Sequence, residues 1–88
     1  MTFEINKIYY HKRLNVAIVF KAISTDKFVW NELDLTSGQR WFGYEGSANC
    51  MLDCFTEMTP IENVKAFKLL AVANKYVDIL GKFLVEKK

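Results

Sequence analysis

The segment Val16-Ala17-Ile18-Val19-Phe20-Lys21-Ala22-Ile23 constrains this chain more than any other. Side chains along a strand alternate between its two faces. Here the even positions Val16, Ile18, Phe20 and Ala22 are apolar, and so are Ala17, Val19 and Ile23 on the odd ones. A strand apolar on both faces needs cover on both sides. It is central in a sheet, or it belongs to a small closed barrel. The rest of an 88-residue chain must therefore supply two apolar layers.

The flanking sequence supplies strands to pair with it. Ile8-Tyr9-Tyr10 reads as the end of a first strand beginning near Phe3, with a bulge or bend near Asn6-Lys7, because the alternation slips between Ile5 and Ile8. His11 to Asn15 reads as a basic, exposed hairpin loop. Ser24-Thr25-Asp26-Lys27 is a turn built from residues that hydrogen-bond their own backbone. Phe28 to Leu35 is a third strand, with Phe28 and Trp30 on one face and Val29 and Leu33 on the other. Thr36-Ser37-Gly38 turns the chain, Gly38 being free to take positive φ. Gln39 to Tyr44 is a fourth strand carrying Trp41 and Phe42. Strands this closely spaced form an antiparallel meander, either curled into an SH3-like small barrel or left open with helices on one face.

The second half has helical spacing. Ser47 can cap a short helix from Ala48 to about Met58, with Cys50, Met51, Cys54, Phe55 and Met58 on its apolar side. The competing reading is a short turn and a fifth strand around Cys54 to Met58. Thr59-Pro60-Ile61-Glu62 combines a cap, a proline at the first helical position and a capping-box glutamate. It predicts a long helix from Pro60 to about Val85, which only Gly81 interrupts. That helix would carry two apolar stripes. Ala66, Leu70, Ala73, Val77, Leu80 and Leu84 form one; Leu69, Val72, Tyr76, Ile79 and Phe83 form the other, about 100° further round. The second stripe is covered by the short helix or the sheet, or it meets a copy of itself across a two-fold axis as a homo-oligomer interface, most simply a dimer. The predicted class is α+β: one domain over residues 1–88, a four- to five-stranded antiparallel meander over 1–46 and a helical part over 47–88.

Composition narrows the function. Apolar residues at 51% with a net charge of +2 exclude disorder. Gly 4 and Pro 1 exclude collagen-like chains, and Cys 2 excludes a disulfide scaffold. No apolar run approaches the roughly 20 residues of a membrane helix. The opening Met-Thr-Phe-Glu-Ile-Asn-Lys does not resemble a signal peptide, so a cytoplasmic protein without a membrane partner is expected. Cys50 and Cys54 with the lone His11 fall short of the four ligands of a structural zinc site; they read as small buried hydrophobes. No nucleophile motif accompanies His11. Glu32 and Asp34 can share a strand face, either as an acid–base pair or as solvated charges. No enzyme activity, metal or cofactor is expected.

Three binding readings remain. Tyr9, Tyr10, His11, Lys12 and Arg13 set aromatics beside cations, as do Arg40, Trp41 and Tyr44. Read structurally, these rings are core and the charges solvated. Read functionally, they form a contact surface for a protein target, with Tyr, Trp and Arg as anchors. Single-stranded nucleic acid suits the same residues and ranks second, because +2 is a weak basic balance. Third is a nucleotide or phosphate ligand at Gly43-Tyr44-Glu45-Gly46-Ser47, beside Arg40 and ahead of the expected helix. In composition the chain resembles small phage-encoded accessory proteins, being short, rich in Lys, Asn, Ile and aromatics, and without catalytic motifs. That resemblance implies a protein that binds and blocks a target.

Overall fold

A computed structural model of the chain describes residues 3–47, 56–62, 65, 67, 75 and 76. Five antiparallel strands form one sheet: β1 (Ile8–His11), β2 (Val16–Ile23), β3 (Lys27–Asp34), β4 (Arg40–Ser47) and β5 (Met58–Ile61), in the order β4-β3-β2-β1-β5. The two-faced segment β2 holds the middle of the sheet, as its composition demands. Ala17 and Val19 lie in one apolar layer with Ile8, Tyr10, Leu33, Leu35, Ile61 and Phe67. Ile18 and Phe20 lie in the other with Tyr9, Val16, Phe28, Trp30 and Met58. The second layer is mostly rings. Phe3 reaches under it, with centroids 5.0 Å from Tyr9 and 4.9 Å from Phe20, and Phe20 continues to Phe28 at 5.5 Å and Trp30 at 6.5 Å. Edge-to-face and tilted contacts of this kind add to the gain from burying the area itself.

Local chemistry sets the turns. Asn6 (φ 66°) makes the bend expected near Asn6-Lys7, and its N–H donates to the Phe20 carbonyl. The β1–β2 turn is Lys12 to Asn15, closed by Asn15 in the left-handed region (φ 54°), which asparagine tolerates. Ser24 closes the β2–β3 turn through its N–H and hydroxyl, both donating to the Lys27 carbonyl. Gly38 (φ 80°) takes the positive φ foreseen for it.

Two bulges bend the sheet. In β2, Lys21 is an extra residue between the pairs Phe20–Trp30 and Ala22–Val29. In β4, Phe42 and Gly43 together face the single residue Asn31, between the pairs Glu32–Trp41 and Trp30–Tyr44. Gly43 takes φ 67° there, as a glycine bulge requires. Asn31 is fully buried, and its Oδ1 accepts the Gly43 N–H at 3.0 Å, giving a partner to an amide that the interrupted ladder would leave free.

The structure corrects several expectations. β1 begins at Ile8, not near Phe3, and includes His11, which was expected in the loop. β4 runs to Ser47 rather than ending at Tyr44. The Thr59-Pro60 signal does not start a helix. Thr59 and Pro60 lie in β5, paired with Tyr10 and Tyr9, because Met58 and Ile61 are drawn into the sheet beside His11 and Ile8. A fifth strand exists, but three to four residues later than Cys54 to Met58, and it adds beside β1, so the sheet is not a simple meander. It is also open: β4 and β5 are its edges, and no pairing closes it into a barrel among the described residues.

The short helix expected over 48–58 does not reach its end, since Thr56 and Glu57 form a turn and Met58 is strand; its remainder lies outside the described residues. Of the expected long helix, Lys65 and Phe67 are helical while Lys75 and Tyr76 lie in a turn, and the other residues lie outside the described set. Tyr76 is half-buried and packs against the layer of Ile8, Val19 and Leu33. Its ring lies where a Cβ on Gly38 would stand, whereas a Cβ on Gly43 would meet nothing within 4 Å.

Both glycines adopt left-handed backbone, so alanine at either is expected to cost about 1–2 kcal/mol. Gly38→Ala must in addition displace the Tyr76 ring. Its thermal midpoint should fall clearly further than that of Gly43→Ala, and the gap should shrink when Tyr76→Ala is added to both. Equal midpoints would show that Tyr76 does not pack over this turn.

Candidate functional site

The contact residues expected from sequence divide into two groups. Tyr9, Tyr10 and His11 are buried, His11 completely, and cannot meet a partner. They lie in β1, sandwiched between β2 and β5, where every side chain meets one apolar layer or the other. The two hydroxyls and one ring nitrogen of His11 find partners at the rim of the core. The Tyr9 hydroxyl accepts the Glu4 N–H at 2.8 Å, and the Tyr10 hydroxyl donates to Asn15 Oδ1 at 3.1 Å. His11 Nδ1 accepts the Leu14 N–H at 3.1 Å, which places the proton of the neutral ring on Nε2. That Nε2 lies 3.3 Å from Glu57 Oε2 but off hydrogen-bonding alignment, so it has a carboxylate neighbour without a formed hydrogen bond.

Glu57 is held from the other side by Arg13. The guanidinium Nε reaches Oε1 at 3.1 Å and Oε2 at 3.2 Å, and Nη2 reaches Oε2 at 2.6 Å. This forked pair ties the β1–β2 turn to the residue before β5. The Arg13 hydrogen bonds hold the Glu57 carboxyl below its usual range. Other exposed cations are also engaged. Lys7 sits between Glu4 at 3.2 Å and Glu62 at 3.3 Å, whose hydrogen bonds, Glu4 first, raise its pKa. Lys27 donates to Glu45 at 2.7 Å, and that bond raises the lysine and lowers the glutamate. Of the cations that the sequence singles out, Arg13 is thus committed to a carboxylate, while Lys12 and Arg40 are exposed.

The second group, Arg40, Trp41 and Tyr44, lies on β4 and stays at the surface. β4 is an edge strand of eight residues, and most of it is exposed. Tyr44 is 50% exposed and Phe42 42%, and Trp41 is half-buried. Tyr44 is not loose: its ring lies 5.0 Å from that of Trp30, which donates through Nε1 to Glu32 at 3.1 Å. The core thus holds an exposed aromatic in place, which limits the entropy a contact would cost. Phe42 was singled out by sequence only as a strand residue; its exposure comes from the bulge it forms with Gly43.

The opposite edge differs. β5 has four residues, and Pro60 removes one donor from it. Short length and proline are devices that blunt a sheet edge. β4 has neither.

Other sites do not assemble. Gly43 to Ser47 is extended strand rather than a loop, with Glu45 committed to Lys27; the helix expected after Ser47 lies outside the described residues. Glu32 accepts from Trp30, and Asp34 Oδ1 accepts the N–H groups of Thr36 and Ser37 at 2.8 and 3.3 Å. Among the described residues no group of three His, Cys, Asp or Glu could hold a metal, and no helix is long and apolar enough to cross a membrane. Cys50, Cys54, Leu69, Val72, Ile79 and Phe83 lie outside the described residues. No protein-family model, curated protein or solved structure matches the chain, so geometry alone carries the functional reading.

Because the Glu57 carboxyl is depressed in the folded protein, its stabilisation is present above the unfolded pKa and lost as pH falls through the folded one. Glu57→Gln should lower the urea midpoint at pH 7, and the gap to the parent should close on acidification below the ordinary carboxylate range. A gap constant across pH would show that the Arg13–Glu57 pair contributes no charge-dependent stability.

Proposed function

We propose that the protein is a non-enzymatic binding module that acts by protein–protein contact along the β4 edge. The observation that carries the reading is an eight-residue edge strand with exposed aromatics, one of them packed at a tilt against a core tryptophan. Such an edge offers backbone donors and acceptors to an incoming strand, and its exposed rings add side-chain contacts. Tyr, Trp and Arg are the residue types that dominate contact energies, and Arg40, Trp41 and Tyr44 supply all three.

Nucleic acid is the weaker reading. Binding of that kind draws its affinity from cations released to phosphates. Here Lys7, Arg13 and Lys27 are each already on a carboxylate.

The test compares the protein with a Trp41→Ala, Tyr44→Ala double variant as baits in a native lysate, with both protein and nucleic acid identified. Tagged baits are also incubated with untagged copies. A protein, foreign or a second copy, should be retained by the parent and lost at least tenfold with the double variant, and retention should change little between low and moderate salt. Retention of nucleic acid alone, falling steeply with salt, would replace this reading with the second. Equal retention by both baits would remove β4 from it.

A further inference from the structure

The β4 edge has an internal symmetry that names an occupant. Residues directly opposite on neighbouring strands share a face. Arg40 is opposite Leu33 and Glu45 opposite Val29, on the face of β3 that carries Leu33. Trp41 is opposite Glu32 and Tyr44 opposite Trp30, on the face that carries Trp30. Arg40 and Glu45 are five residues apart and would point to opposite faces of a regular strand. The extra residue at Phe42-Gly43 brings them to the same face, and does the same for Trp41 and Tyr44. The edge therefore reads cation, aromatic, two bulge residues, aromatic, anion.

That order is self-complementary in the antiparallel sense. We propose that the β4 edge pairs with β4 of a second copy of this chain about a two-fold axis between Phe42 and Gly43. This register sets Arg40 opposite Glu45 of the second copy on one face, twice, and Trp41 opposite Tyr44 of the second copy on the other, twice. A shift by one residue sets Trp41 against Glu45 on mismatched faces, so only one register satisfies charge and face together. Opposite charges and paired aromatics directly across a strand pair are the favourable combinations. Lys27 occupies Oε1 of Glu45, and a carboxylate retains further acceptor sites for an incoming guanidinium. A two-fold pairing uses the same patch on both copies and closes at two, joining the sheets into one of ten strands. The inference rests on β4 being the contact edge and supplies the partner.

The experiment measures mass in solution by light scattering over a range of concentrations. The parent should reach twice the 10.2 kDa chain mass. Arg40→Glu alone and Glu45→Arg alone each set like charges opposite one another and should run at the chain mass with unchanged circular dichroism. Mixed in equal amounts, they should restore the doubled mass, because each interface pair then unites a Glu with an Arg. Trp41→Glu, which sets a charge against the Tyr44 ring and leaves the Lys27–Glu45 pair intact, is an independent variant and should also run at the chain mass. A parent at the chain mass throughout overturns the proposal; if the edge still captures another protein, the reading of β4 as contact edge survives without it. A doubled mass that none of the variants disturbs overturns the pairing, and if foreign capture is equally undisturbed it overturns the edge reading as well. Variants that dissociate but do not reassociate on mixing overturn the register.

Discussion

The structure depends on burying β2 from both sides. A strand with Ala17 and Val19 on one face and Ile18 and Phe20 on the other cannot sit at an edge or under a single layer. It needs a strand on each side and an apolar sheet of side chains above and below. β1 and β3 supply the first. Phe67 and Tyr76 contribute to one layer, while Phe3 and the rings of Tyr9, Phe28 and Trp30 make the other. The arrangement draws nearly the whole of β1 inside, polar tips included. Each tip then finds a partner in the turns: Tyr9 at Glu4, Tyr10 at Asn15, His11 at Leu14. Those bonds fix the turns to the strands, so the buried rings also determine where the loops lie.

The first four strands were legible because two signals agreed for each: apolar alternation inside, and residues with a turn chemistry of their own between. Gly38 and the Ser24–Lys27 turn were read from local chemistry that tertiary packing did not override. The later part failed for an identifiable reason. Thr, Pro and Glu suit a helix start because the first helical amides need no intrahelical acceptor. A proline suits a strand edge for the related reason that its missing N–H faces outward. The same four residues fit both, and pairing of Met58 and Ile61 with β1 decided between them. His11 was misplaced because its neighbours Lys12 and Arg13 are charged, although burial is set residue by residue. Phe67 fell in neither apolar stripe, yet it is fully buried in the layer with Tyr10 and Leu33.

The surface residues were legible as types and not as a site. Tyr, Trp, Lys and Arg clusters in a sequence look alike whether they face solvent, core or carboxylates. Arg13 lies 44 residues from Glu57, and no local pattern connects them. The division of the aromatic residues into a buried β1 group and an exposed β4 group follows from strand order: β1 has a neighbour on each side and β4 has one. Strand order in turn rests on β5 returning to β1, the element least visible in the sequence.

The bulge in β4 links core to edge. Asn31 is a fully buried polar residue, which costs stability unless its amide is used, and only the oxygen end of that amide has a hydrogen-bond partner. Its Oδ1 accepts the Gly43 N–H, which lets two residues of β4 stand opposite one of β3. An apolar residue at 31 would leave that N–H without its acceptor and favour a regular ladder. Regular alternation would rotate Arg40 away from the face of Glu45 and Trp41 away from that of Tyr44. The order of charges and rings along the edge then has meaning only because a buried asparagine holds the backbone out of register. Edge strands commonly use bulges to turn partners away. In this chain the bulge instead brings matched residues to matched faces, so the same distortion that discourages a regular strand from pairing favours one carrying the same distortion.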